Sequence, residues 1–230
     1  MKIGNERSIM LKQVANLART EGLVLRGAFE IPAFDRENGL SPARTLVLLG
    51  WTGTDSWDVF ASSPEAKDGN NDALDRWSRR VIDRIATKVQ ASALYPFDGP
   101  PWFPFQRWAQ LAEPVFVSPL RILIHPDWGL WHSYRGALSF ADLLEIPARV
   151  DRVNPCSLCE AKPCLLACPV SAFSPAHFEA TACATHISSQ VGESCMTCGC
   201  RARNACPIGV PHRYTLDQAA FHMRAFRSAY

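Results

Sequence analysis

The apolar positions of this chain change period several times. In residues 8–20 (SIMLKQVANLART), Ile9, Leu11, Val14 and Leu17 recur at close to helical spacing, and Gly22 stops the helix. LVLRGAFEI (23–31) and TLVLLGW (45–51) are short apolar runs bounded by turn residues, which predicts strands. Asn71 and Asp72 precede Leu74, Trp77, Val81, Ile82, Ile85 and Val89, whose spacing predicts a long amphipathic helix. SALYPF (92–97) and RILIH (121–125) predict further strands, and residues 125–140 predict a turn centred on Gly129 followed by a strand. The tail from 215 to 228 carries Leu216, Ala219, Phe221, Met223 and Phe226 in helical order, which predicts a helix packed back on the body. This mixture predicts an α+β sandwich over residues 1–150.

DGPPWFPFQRWAQ (98–110) breaks the pattern. Its three prolines forbid a continuous helix across it. So many rings outside a regular element predict an ordered loop that walls a cavity, against the plainer reading of a surface loop pinned by its own aromatics.

Composition narrows the class. The chain has 230 residues, 47% hydrophobic and 20% charged, which is enough to bury a core. A net charge of +2 argues against the basic face of a nucleic-acid binder. No run of about 18 apolar residues predicts a membrane span. MKIGNERSIMLKQ lacks the apolar core of a secretory signal, so the expectation is a cytoplasmic protein.

All nine cysteines lie between Cys156 and Cys206. Thiols stay reduced in a cytosol, so this crowding points to metal rather than disulfides. Cys156-x2-Cys159-x4-Cys164-x3-Cys168-Pro169 follows the bacterial ferredoxin run, with two extra residues before the third cysteine. A second Cys-Pro pair, Cys206-Pro207, closes a second half containing Cys183, Cys195, Cys198 and Cys200. In such runs the fourth cysteine serves the other cluster. One [4Fe–4S] cluster then takes Cys156, Cys159, Cys164 and Cys206, and the other takes Cys168, Cys183, Cys195 and one of Cys198 or Cys200. Cys195-x2-Cys198 is the commoner spacing. Cys200 stands nearer Cys206 and follows Gly199, which eases a tight approach and favours Cys200. The rival readings are a single cluster, or zinc, whose ribbons also use C-x2-C pairs but have no use for two Cys-Pro endings.

IHPDWGLWHSYRGALSF (124–140), followed closely by the first cysteine run, resembles the segment that leads into the clusters of epoxyqueuosine reductases, which are cobalamin-dependent iron–sulfur enzymes. It is also similar to cobalamin-processing proteins of the CblC type. There an I-H-P turn, a Gly-x-Trp and an Arg-Gly stand in the order of Ile124-His125-Pro126, Gly129-x-Trp131 and Arg135-Gly136. The resemblance covers roughly residues 90–210. It implies a nitroreductase-like, CblC-like α+β core that binds a corrinoid, fused to a small ferredoxin-like domain with two [4Fe–4S] clusters. It further implies that Trp131 packs at the corrin near Gly129 and that Arg135 sits near the reactive face or a thiol cosubstrate. Gln106, Arg107 and Trp108 would cover the amide-bearing edge. His125 and His132 are candidate cobalt ligands, weighed against hydrogen-bonded core histidines. His177, His186, His212 and His222 read as surface residues or as residues behind the ligands.

The expected domains are 1–150 for the corrinoid, 151–214 for the clusters, and a C-terminal helix over 215–230. The leading function is an iron–sulfur oxidoreductase that passes electrons through two clusters to a corrinoid, cobalamin. The alternatives are an epoxyqueuosine-reductase-like enzyme on a tRNA base, a plain ferredoxin-type electron carrier, or a flavin-binding reductase. The expected partners are a redox donor (a reduced ferredoxin, a flavodoxin or a reductase) and the corrinoid, with no membrane and no nucleic acid.

Overall fold

The computed structural model describes residues 2–174 and 177–230, with side chains described from Ile9 onward except at residue 38. Six strands are present among these: β1 (Val24–Glu30), β2 (Thr45–Thr52), β3 (Ser92–Leu94), β4 (Phe116–Val117), β5 (Leu123–Ile124) and β6 (His132–Phe140). Contacts divide the chain into two compact units, Met1–Pro114 with Ser133–Asp151, and Val115–His132 with Arg152–Tyr230.

The first unit is built on a four-stranded sheet of order β1-β2-β6-β3, in which β1 pairs antiparallel with β2, and β3 with β6. Strand β2 has neighbours on both edges and is buried along Thr45–Trp51. That is why its sequence reads as an unbroken apolar run rather than an alternating one. The helix Ala73–Val89 buries Leu74, Trp77, Val81, Ile82, Ile85 and Val89, all on the predicted stripe. Its Trp77 ring meets Trp51 and Phe60 at centroid distances of 6.1 and 5.7 Å. The helix Lys2–Thr20 packs on it and on β1.

Two expectations change here. The strand expected over 92–97 ends at Leu94, because Tyr95 turns inward and donates from its hydroxyl to Asp83 Oδ1 at 2.7 Å. The residues expected as a loop over 98–110 divide at Pro104, which sits at the N-cap of a helix, Phe105–Ala112. A proline there loses nothing by lacking an N–H. The Trp108 amide opens the helix by donating to Pro104 O at 3.0 Å.

The second unit starts with the antiparallel pair β4–β5, in register Phe116↔Ile124 and Val117↔Leu123. The turn after β5 closes through reciprocal 2.8 Å hydrogen bonds between His125 and Gly129. Segment 115–132 clusters with the cysteine-bearing residues, where a border at 150 groups it with the N-terminal ones. The reason is packing: Leu120, Ile124 and Leu130 share one buried cluster with Cys164, Ala202 and Cys206. The C-terminal helix Leu216–Ser228 packs on Glu193–Cys198 and on Ala180–Ile187. Among the described residues no helix is long and apolar enough to cross a membrane.

Candidate metal centres

The second unit gathers eight of the nine cysteines around two separate small cavities. Cys156, Cys159, Cys164 and Cys206 line the first, with Ile124, Pro163 and Ile208 as apolar walls. Cys168, Cys183, Cys195 and Cys200 line the second, with Phe173, Ile187 and Met223. Among the described residues no three His, Cys, Asp or Glu side chains converge on a single-ion site; the thiols surround cavities instead.

Local sequence explains the placement. Asn154 accepts from the Cys156 amide at 3.0 Å and folds the chain so that Cys156 and Cys159 face one side. Pro163 opens the short helix Pro163–Leu166, which carries Cys164. Cys195 is buried on the helix Glu193–Cys198. That helix ends at Gly199, whose φ of 85° turns the chain so that Cys200 returns to the cavity. Cys198 is exposed and lines neither cavity; its sulfur lies 3.7 Å from Thr197 Oγ1.

The electrostatics follow the same sorting. Burial pushes the Cys156 thiol up to about 11, and Cys206, Cys164 and Cys159 add to the rise. Burial also pushes Cys183 up to about 11, helped by Cys200, Cys168 and Cys195. Such thiols resist ionising until a cation joins them, because desolvated like charges repel. Backbone amides already point at several sulfurs. The Ala172 N–H donates to Cys168 Sγ at 3.3 Å, and burial's upward push is opposed at Cys164 by Leu165, at Cys200 by Arg203 and Ala202, and at Cys206 by Ile208.

The residues implicated in corrinoid binding fall in both units. In the first, Gln106 is exposed, and Arg107 is half exposed and ion-paired with Asp35. Trp108 is 1% exposed and packs on Phe103 and Phe105, so these rings form a core cluster rather than a cavity wall. Arg135 is ion-paired with Asp75, and its Nε donates to Ser78 Oγ at 2.9 Å, tying β6 to the helix Ala73–Val89.

In the second unit, His125 Nδ1 accepts from the amides of Asp127 and Trp128 at 3.0 and 3.3 Å, which caps the turn. His132 Nε2 lies 3.1 Å from Leu123 O, so that nitrogen carries the proton. Trp131 is buried beneath the Arg203 guanidinium, 4.7 Å from the ring centroid, and against Tyr214. Gly129 has φ 59°, and a Cβ there would stand 2.1 Å from Ile208 O. Its bareness lets the turn lie directly on the chain that follows Cys206.

Sequence reasoning also missed a groove of about 410 Å³ in the first unit, walled by Leu11, Ala15, Leu25, Ala28 and Pro114. At its edge Glu113 is ion-paired with Arg26 at 2.8 Å and accepts from the Tyr134 hydroxyl. Arg26 is buried and is the extra residue at a bulge in β1 between Leu25 and Gly27. Burial pushes the Glu113 carboxyl up, with Arg26 pulling the other way.

No protein-family model matches this sequence, and no curated protein sequence does either. Solved structures do match in fold. The B12-trafficking protein CblC of C. elegans, a homologue of human MMACHC, superposes with a TM-score of 0.53 at 15% identity, covering 96% of both chains. A selenomethionine-labelled epoxyqueuosine reductase superposes with a TM-score of 0.50 at 14% identity, covering 91% of this chain and 68% of that one. This is an α+β protein whose fold is similar to those two.

Proposed function

We propose that this protein is an iron–sulfur oxidoreductase. In this reading Cys156, Cys159, Cys164 and Cys206 hold one [4Fe–4S] cluster, and Cys168, Cys183, Cys195 and Cys200 hold a second. The electrons serve a corrinoid bound by the N-terminal unit. The observation that carries the reading is the sorting of eight cysteines into two four-thiol cavities. The donor set fits: soft thiolates suit iron–sulfur clusters, and amides aimed at the sulfurs offset their negative charge. Ile124, Ile208 and the prolines at 155, 163 and 207 would keep water from the first cluster, as Phe173, Ile187 and Met223 would from the second. Clusters of this type supply single electrons, and two in one unit form a relay.

The corrinoid half of the proposal draws on the fold likeness to a B12-trafficking protein. When bound, a corrinoid supplies a cobalt that becomes a strong nucleophile on reduction. Gln106 and the exposed part of Arg107 are the polar groups that would anchor its rim. A second reading, an electron carrier without corrinoid, is favoured by one observation: Arg135 already has Asp75 and Ser78 as partners.

One experiment tests both halves. Protein reconstituted anaerobically should hold about eight irons, four per cluster, and should then be titrated with cob(II)alamin. Saturable binding with a spectral shift supports the full proposal. Eight irons without binding leave the electron carrier. Four irons, or zinc in their place, sink the two-cluster reading.

A further inference from the structure

His186 has no part in the proposal above, yet it is built into the second cavity. It follows Cys183 by three residues on the helix Ala180–Ile187, a spacing that stacks the two side chains on one face, and both line the cavity. Its Nε2 stands 3.8 Å from Cys195 Sγ. The chain locks this contact. Gly192 is buried against the His186 backbone so closely that a Cβ would lie 2.0 Å from His186 O. That same oxygen accepts from the Ser189 amide at 3.0 Å and the Ser189 hydroxyl at 2.6 Å. The turn is thereby drawn tight between the helix end bearing His186 and the helix bearing Cys195.

The imidazole is a polar group that the two cavity linings do not share. Each cavity has a single cationic side chain in its lining, Lys162 for the first and Arg201 for the second. Arg213 also acts on Cys206 of the first set, so the cations do not favour the second cavity. Among the described residues, the second lining holds an imidazole and the first holds none.

Resting on the two-cluster reading, we infer that His186 is a positioning residue that donates its Nε2–H to the Cys195 sulfur and makes the second cluster the more easily reduced of the pair. A hydrogen bond to a ligand sulfur draws off negative charge and stabilises the reduced state, so the potential rises. Given one electron by a low-potential one-electron donor protein, the first cluster is reoxidised as the second is reduced. No bond forms or breaks, and the relay acquires a direction.

The test uses the full chain, reconstituted anaerobically, with His186→Leu and His186→Gln beside the wild type. Iron is counted first. A wild type well short of about eight irons overturns the two-cluster reading and this inference with it, whatever the variants do. Both potentials are then followed by EPR during dithionite titration at one fixed pH. The Leu variant should keep its irons and shift only the higher potential downward. The Gln variant, which retains an N–H, should restore most of that shift. Unchanged potentials in the Leu variant would make His186 a bystander. Loss of four irons in both variants would make it part of what holds the cluster. Either result overturns the inference.

Discussion

Gly129→Ala separates a packing role from a ligand-binding one at a residue the family resemblance assigns to the corrin. Two costs can be worked out. At φ 59° an alanine adopts the left-handed region, at about 1–2 kcal/mol. Its Cβ would also stand 2.1 Å from Ile208 O and 2.7 Å from Ile208 C. Both are backbone atoms that cannot rotate away, so the overpacking adds about 1–3 kcal/mol. The sum, about 2–5 kcal/mol, is a large part of the 5–15 kcal/mol typical of a whole domain. For a unit of roughly a hundred residues it should lower Tm by about 10–25 °C. Ile208 lies two residues beyond Cys206, so the displaced chain should also loosen the first thiol set and reduce its iron. Gly69→Ala is the control: Gly69 has φ 73°, an alanine Cβ there would meet nothing within 4 Å, and the change should cost only the backbone term of about 1–2 kcal/mol. Scanning calorimetry with iron analysis reads both variants. Equal costs in the two would refute the close-approach argument. A Gly129 variant that keeps its stability and iron but loses cobalamin affinity would return the residue to the ligand.

Cys206→Ser should lose about four of eight irons although Cys206 is remote in sequence from Cys156, Cys159 and Cys164, whereas Cys198→Ser should keep all of them. Iron and sulfide analysis decides, and loss on changing Cys198 would move it into the place of Cys200. Arg135→Ala should lower the urea stability of the first unit by about 1 kcal/mol by removing the Asp75 ion pair and one of the two hydrogen bonds at Ser78, whose hydroxyl keeps Leu74 O, with iron unchanged; no change in stability would free this arginine for a ligand. The Arg80 guanidinium bonded to Glu65 holds that carboxyl at about 2, well below its usual 4.5. A depressed carboxylate stabilises above its unfolded pKa and loses that contribution as pH falls toward 2. Arg80 is partly exposed and the pair is screened, so Glu65→Gln should cost about 1 kcal/mol at neutral pH, and the gap to wild type, followed by tryptophan fluorescence, should close below pH 4.5.

Much of the first unit was legible because its signals are periodic and local. The stripe from Leu74 to Val89 and the apolar run of β2 each belong to one element, and one period reveals each. The helix Phe105–Ala112 was hidden because three prolines were weighed over the whole of 98–110, while the physical rule acts only on residues within and before a proline. Past Pro104 nothing forbids a helix. Arg26 was hidden for a different reason: its partner Glu113 lies 87 positions downstream, and nothing in β1 announces that pairing.

The cysteine region shows why a ligand set is easier to read than its surroundings. Thiols are few and chemically distinctive, so the spacing of Cys156, Cys159, Cys164 and Cys168 is itself a signal. What fixes them in space is made of ordinary residues in contact across long stretches of chain. Gly129 meets Ile208 from the far side of every cysteine in the chain, and a glycine that serves a close approach looks in sequence like one that serves a turn. Arg135 looks like an anion binder until Asp75 is found beside it, 60 positions upstream. His186 is the intermediate case. Its three-residue step from Cys183 was visible, and a helix there would have set both on one face. Its partner, however, is Cys195 on the next helix, and only the bare backbone of Gly192 brings those helices close enough for the imidazole to reach the sulfur.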